Sequence, residues 1–543
     1  MKQTSLWYIN AVFYEVYVRA YYDANGDGHG DLRGLIEKLD YLQRLGVDCI
    51  WLLPVYGSPL VDDGYDIADY YLIHPDYGTL DDFKELVAAA HQRGLRVIAD
   101  LVLNHTSDQH SWFQAARTDR NSPYRDYYVW SDDDQKYADT RIIFVDTEKS
   151  NWTWDEQAGQ FFFHRFYGSQ PDLNYDNPAV QEAMLEVMRF WLDSGVDGFR
   201  ADAVPYLFER EGTNCENLPE THAYLKRLRK YLDEHYPDKV LLCEANQWPE
   251  DVRPYFGDGD EFHMGFHFPL MPRIYMALQQ GSTEPLAWVI ERTPHIPANC
   301  QWCTFLRNHD ELTLEMVTEE ERQWMWQEYA PEPRMRLNLG IRRRLAPLLN
   351  NDRRKIELAY SLLFTMPGSP IIYYGDEIGM GDNIWLPDRN GVRTPMQWKN
   401  GRNGGFSEVS PERLYAPAIE SAEFGYERVN VSDQEKDPAS LLKLVQRMIQ
   451  IRKTHLAFGN GEFSWATQSS GTEKAVAAYW RTYGSERLLI IQNLSGFTQD
   501  VHLELHEPSH TLSDLMTESQ ISLLDGNKLA LTLGPYEYRW LIS

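Results

Sequence analysis

The feature that most constrains this chain is a recurring unit: an amphipathic helix, a glycine, and a short β-branched strand that ends in polar residues. In GLIEKLDYLQRLGVDCIWLLP, Leu35, Leu39 and Leu42 share one helical face, and Gly46 can supply a left-handed cap before Cys49–Leu53. In TLDDFKELVAAAHQRGLRVIADLVLNH, Thr79 can cap a helix with Asp81 and Asp82 in its first turn. There Phe83, Leu86, Val87 and Ala90 form the buried stripe, and Gly94 ends it. In NPAVQEAMLEVMRFWLDSGVDGFRADA, Asn177 caps, Pro178 opens the helix, Val180, Met184, Val187 and Trp191 make one face, and Gly195 closes it. Strands that follow helices in this way imply a parallel sheet with right-handed crossovers.

Eight strand candidates follow: 11–19, 49–54, 96–103, 198–203, 239–245, 261–268, 301–307 and 370–375. Eight is the number that closes a (β/α)8 TIM barrel. The rival open doubly wound sheet lacks its phosphate-binding GxGxxG turn. Strands 3 and 4 are widely separated, so residues 105–172, rich in Asp, Tyr and Trp, read as an excursion domain. The barrel then comprises 1–104 and 173–450, with a mostly helical insert at about 311–360. From about 451 to 543 the pattern changes to short alternating strands, which predict a C-terminal antiparallel β-sandwich domain.

A formal charge of −29 disfavours nucleic acid and anionic membranes as partners, and no apolar run reaches the length of a bilayer span. The N-terminal stretch lacks the pattern of a signal peptide. Five cysteines (Cys49, Cys215, Cys243, Cys300, Cys303) in 543 residues suggest a reducing, cytoplasmic setting; Cys300 and Cys303 have no second pair to make a zinc site. Aromatic residues make up 13%, compatible equally with a large aromatic core and with a site that stacks on sugar faces.

In a barrel of this kind the site lies at the C-terminal ends of the strands. Polar residues there are Asn104-His105, Arg200 and Asp202, Glu244, and Asn308-His309-Asp310. Arg200 precedes Asp202 by two residues and so points to the same face. Three carboxylates, two histidines and an arginine are thereby expected at one mouth. Asp23, Asn25, Asp27, Asp31 and the His29 carbonyl, in DANGDGHGDL, are hard oxygen ligands of the kind calcium takes. An EF-hand is excluded, because its twelfth position would be Gly34 and a strand precedes the loop.

The segments LVLNH, GFRADA, LLCEAN and FLRNHDE resemble the four short regions of the α-amylase superfamily, glycoside hydrolase family 13. DGYDIADY, QPDLN and GVRTPMQW resemble the members that act on small α-glucosides. The stretches around FLRNHDELTLEMVTEEE and NLGIRRRLAPLLNNDRRKIELAYSLLF resemble the branch that interconverts maltose and trehalose. The resemblance implies a retaining mechanism with Asp202 as nucleophile, Glu244 as acid and base, and Asp310 binding sugar hydroxyls. It places His105, His309 and Arg200 on the bound glucose, Asp62, Tyr65 and Arg393 as a clamp on its far end, and Phe166 and Gln170 along the same pocket. An Asp–Arg pair closing that end would exclude long starch chains.

The implied activity is intramolecular α-glucosyl transfer between maltose and trehalose with minor hydrolysis. A hydrolase (oligo-1,6-glucosidase or α-glucosidase), a sucrose isomerase and a non-catalytic transporter-associated relative are the alternatives. The implied ions are calcium, with magnesium as the alternative in the 23–31 loop, and a second calcium on Asn104, Asp172, Glu209 and the carbonyls of Tyr206 and Leu207. No organic cofactor is implied. Small disaccharides are the expected ligands, and the family also forms homo-oligomers.

Overall fold

A computed structural model describes residues 6–468, 471, 474–505, 511–524 and 527–542 of the chain; the first five residues of the N-terminal stretch lie outside these. Eight parallel strands close a barrel: β1 (Phe13–Val16), β2 (Cys49–Leu52), β3 (Arg96–Val102), β4 (Gly198–Asp202), β5 (Val240–Cys243), β6 (Met264–Phe266), β7 (Gln301–Phe305) and β8 (Ser369–Tyr373). Each pairs with its sequence neighbours, and β1 pairs with β8 to complete the ring. Most of the strands are shorter than the sequence suggests, β1 and β6 at both ends. All the residues of β1, β2, β4 and β5 are buried, as expected for strands covered on both faces.

The local signals act as read. In α1 (Leu32–Leu45) Leu35, Leu39 and Leu42 are buried, and Gly46 at φ 96° donates its N–H to the Leu42 carbonyl. In α2 (Leu80–Gln92) Thr79 and Asp82 form a reciprocal capping box. In α3 (Pro178–Asp193) the Asn177 side chain accepts the Ala179 N–H. Gly198 opens β4 at φ 149°, and a Cβ there would stand 2.0 Å from the Val240 carbonyl, so the approach of β4 to β5 requires glycine.

Between β3 and β4 lie the helix Ser111–Thr118 and a three-stranded sheet of Trp130–Ser131, Trp152–Asp155 and Gln160–Phe163. The insert after β7 is less helical than its composition suggests. Beside the helix Glu319–Tyr329 it carries a small antiparallel sheet of Leu312–Thr313, Arg336–Leu337 and Gly340–Ile341. Two-residue strands are too short to display alternation, so this sheet leaves no periodic signal. At the C-terminus a six-stranded antiparallel sheet and the ribbon Gln499–Glu504/Lys528–Leu533 share a core that includes Val476, Leu489, Ile491, Val501, Leu503 and Leu541. Among the described residues no helix is long and apolar enough to cross a membrane, and all five cysteines are free and buried.

Candidate active site

Strand alternation and strand ends place the predicted residues together. A cavity opens at the C-terminal end of the barrel, lined by Asp62, Tyr65, His105, Phe166, Asp202, Glu244, Asn308 and Asp310, among others. Arg200, 1% exposed, lies buried behind the lining carboxyls Asp202 and Glu244. Its Nη1 meets Asp202 and stands 2.6 Å from Asp100 Oδ1, and its Nη2 meets Glu244 Oε1. Asp100 is held in turn by Trp51 Nε1 at 2.9 Å.

The two central carboxyls are both displaced upward but to different extents. Burial raises Asp202 to about 6, with Arg200 opposing the shift. Burial raises Glu244 to about 8, again opposed by Arg200 but reinforced by Asp202 and Asp310. Near neutral pH one is therefore mainly ionised and the other mainly protonated, the division that a carboxylate pair needs for acid and nucleophile roles. Ala203, directly after Asp202, lies in the left-handed region at φ 52° and ψ 34°. That turn costs about 1 kcal/mol for a non-glycine residue and aims the Ala203 N–H at Glu244 Oε2, 3.0 Å away.

Asp310 behaves oppositely. Burial works against its charge, but the guanidiniums of Arg389, Arg393 and Arg200, with His309 Nε2 3.2 Å away, hold it below the usual carboxylate range. The His309 ring stacks on Tyr65 at 5.3 Å and 10°. His105 is pushed down to about 3 by burial, so it is neutral, and its Nε2 has no partner. Phe166 packs on that ring at 5.2 Å. Gln170 donates from Nε2 to Asp62 Oδ2 at 2.9 Å.

The far-end clamp differs from the sequence reading in its pairing. Arg393 meets Asp63, at 2.5 Å, together with Asp310 Oδ1 at 3.1 Å and the His309 carbonyl at 2.9 Å. Asp62 faces Arg389 instead, 3.6 Å away. Arg389, absent from the sequence reading, also meets Asp310 at 3.0 Å and Glu311 at 2.9 Å. Adjacent aspartates in VDDGYD point opposite ways around a turn in which Asp63 takes φ 47°, and motif spacing cannot assign which arginine each one meets.

The mouth is crossed by a second set that the sequence did not announce. Arg141 of the excursion segment meets Glu216 at 2.8 Å, Glu315 at 2.5 Å and the Tyr206 hydroxyl at 3.0 Å. Arg165 joins Glu216 at 2.8 Å, and Asn246 donates to Thr313 Oγ1 at 3.1 Å.

The two proposed ion sets differ. In the 23–31 loop Asp23 accepts the N–H groups of Gly26 and Gly28 and the Ser407 hydroxyl. Asp31 accepts those of Ala24 and Gly34, Asn25 accepts that of Asp27, and Asp27 accepts that of His29. No oxygen of this loop is buried without a partner among the described residues, its buried carboxylates meeting the loop's own amides. The second set differs in leaving buried oxygens open. Asn104 Oδ1, Asp172 Oδ2 and Glu209 Oε1 are all buried and unpartnered. Burial raises Asp172 to about 8 and pushes Glu209 well up, with Asp172 adding to the latter. No three His, Cys, Asp or Glu side chains converge as a metal cluster among the described residues, yet two carboxylates with an amide and carbonyl oxygens are a fitting donor set for a hard cation.

Residues 15–461 match the model of the alpha amylase catalytic domain, and 469–540 that of the maltogenic amylase C-terminal domain. A trehalose synthase/amylase of Mycobacterium tuberculosis is 57% identical over 98% of this chain and 90% of its own length. The trehalose synthase/amylase of Mycolicibacterium smegmatis is 60% identical over 92% of this chain and 86% of its own. Among solved structures, the trehalulose synthase of Pseudomonas mesoacidophila superposes with a TM-score of 0.81 at 28% identity, covering 99% of this chain and 100% of that one. A closed barrel with this constellation at its mouth, matched by the catalytic-domain model over most of its length, makes the chain a member of the α-amylase family.

Proposed function

We propose that this enzyme interconverts maltose and trehalose by intramolecular α-glucosyl transfer, with minor hydrolysis to glucose. The observation that carries the chemistry is the Arg200 guanidinium touching both Asp202 and Glu244, whose carboxyls are held at different protonation states. Asp202 attacks the anomeric carbon while Glu244 gives its proton to the glycosidic oxygen, leaving a glucosyl ester and free glucose. The retained glucose turns and its own anomeric hydroxyl attacks the anomeric carbon of the glucosyl ester, breaking its bond to Asp202. Glu244, now a base, takes that proton and Asp202 leaves.

Asp310, kept ionised by Arg389 and Arg393, accepts hydroxyls of the terminal glucose, and neutral His105 and His309 line the same ring. Arg389 and Asp62 wall off the far end, which restricts the pocket to a terminal sugar. Transfer within one substrate requires that water stay out and glucose stay in; the Arg141 contacts across the mouth supply that closure. These features, with trehalose synthase/amylase relatives at 57% and 60% identity, favour isomerase over glucosidase.

Asn104, Asp172, Glu209 and the carbonyls of Tyr206 and Leu207 would hold a calcium ion. Bound there it would neutralise two buried carboxylates and tie the return from the excursion segment to the turn after β4. The test is incubation with maltose plus 13C-glucose and separation of the sugars. Unlabelled trehalose is expected. Glucose alone would overturn the reading, and label distributed freely into trehalose would overturn its intramolecular part.

A further inference from the structure

Glu15, on β1, is not part of the pocket lining and has no role in the chemistry above, yet it is one of the most enclosed carboxyls in the protein, at 0% exposure. Its Oε1 lies 2.5 Å from Nδ1 of His309 and 3.2 Å from the His309 backbone N–H. On the other side of the ring, Nε2 of His309 lies 3.2 Å from Asp310 Oδ2. The ring is clamped between Tyr65, stacked on it, and Trp51, edge-on at 5.7 Å. A line of contacts therefore runs from the barrel interior through His309 to the carboxylate that binds the sugar.

The placement of protons along this line is constrained. If Glu15 were ionised and a neutral His309 carried its proton on Nδ1, Nε2 would turn a lone pair onto an ionised Asp310 oxygen, an acceptor facing an acceptor. A doubly protonated ring would remove that conflict but would place an imidazolium beside Arg393, Arg389 and Arg200, in a buried site that already drives His309 toward neutrality. The remaining arrangement has the proton on Glu15. The carboxyl then donates from Oε1 to Nδ1, and Nε2–H donates to Asp310. Glu15 Oε2 has no partner; leaving a carboxylate oxygen bare in the barrel interior costs far more than leaving the carbonyl oxygen of a neutral acid.

We propose that Glu15 is a positioning residue for the transfer reaction: as a neutral acid it locks His309 in the Nε2–H form and so directs a hydrogen-bond donor at Asp310 and the sugar it holds. Asp310 thereby stays a pure acceptor for sugar hydroxyls, with one of its oxygens held in place from below.

The test is a 15N-histidine spectrum of the full protein, with the His309 signals assigned by difference from His309→Gln, read together with the kinetics of two variants. His309 is expected to be neutral with its proton on Nε2. Glu15→Gln can donate to Nδ1 only by turning its amide nitrogen toward the His309 backbone N–H that Oε1 otherwise accepts, so it is expected to lower kcat, but by clearly less than Glu15→Leu does. Glu15→Leu fills the space but can neither donate nor accept. It is expected to lose the Nε2–H signature and to drop kcat roughly 30-fold or more, with a much smaller change in KM, a loss in the range of a displaced positioning group. A parent spectrum showing Nδ1–H with a bare Nε2, or an imidazolium, would overturn the proposal whether or not Glu15→Leu folds. So would a Glu15→Gln variant as impaired as Glu15→Leu, or a Glu15→Leu variant with unchanged kcat.

Discussion

Arg141 Nη1 stands 2.5 Å from Glu315 Oε2, joining the excursion segment between β3 and β4 to the insert after β7 across the mouth of the cavity. The two residues are 174 positions apart in sequence. Arg141 is partly exposed, so the pair contributes little to global stability; its consequence is local. Removing it with Arg141→Ala should leave the melting temperature nearly unchanged and raise the glucose-to-trehalose product ratio by roughly fivefold, as water gains access to the glucosyl ester. Product chromatography at early conversion checks this, and an unchanged ratio would remove Arg141 from the closure.

The carboxyl pair predicts a pH profile. The active form needs Asp202 ionised and Glu244 protonated, so kcat/KM should rise through about 6 and fall through about 8. Glu244→Gln should lose roughly 10²–10⁴ in kcat, and Asp202→Asn more, each with the circular dichroism of the parent. An Asp202→Asn enzyme that kept half its rate would contradict the nucleophile assignment.

The same raised value has a stability consequence. Between the ordinary glutamate range and about 8, the folded protein keeps a proton on Glu244 that the unfolded chain has released. Stability from this group is therefore complete at low pH and is lost as pH rises through about 8. Glu244→Gln never ionises, so its melting temperature should gain on the parent's as the pH is moved from 5 to 8.5. A constant difference between the two proteins across that range would argue that Glu244 is not buried as described.

The unpartnered oxygens of Asn104, Asp172 and Glu209 predict an ion-dependent melting temperature. Adding a chelator should lower it by a few degrees, and calcium should restore it, because a ligand bound only by the folded state stabilises by mass action. Glu209→Gln should abolish most of that response. A full response in Glu209→Gln would move the ion to the 23–31 loop.

The revised clamp makes a further prediction. Arg389→Ala removes contacts to Asp310, Glu311 and Asp62 at once. It should raise KM for maltose roughly tenfold or more, since a buried charge-assisted contact is worth on the order of 1.5–3 kcal/mol. It should also admit maltotriose, for which little turnover is expected of the parent. Steady-state kinetics with both sugars would show it, and an unaltered KM would return the clamp to Arg393 alone.

Much of this was legible in the chain itself. The helix caps at Thr79, Asn177 and Gly46, the buried stripes and the strand-end polar residues are local consequences of periods of 3.6 and 2. Local periodicity sufficed to count eight strands and to bring Arg200, Asp202, Glu244 and Asp310 to one end. Tertiary structure alone decided which partners those residues take. Asp63 rather than Asp62 meets Arg393, Arg389 enters the site, Arg141 spans the mouth, and Glu15 reaches His309 from 294 positions away. The physical reason is that caps and alternation are fixed within a turn or two of chain. The position of a guanidinium between carboxylates depends instead on how closure of the whole barrel sets separate loops against one another, and no spacing within one segment encodes that distance.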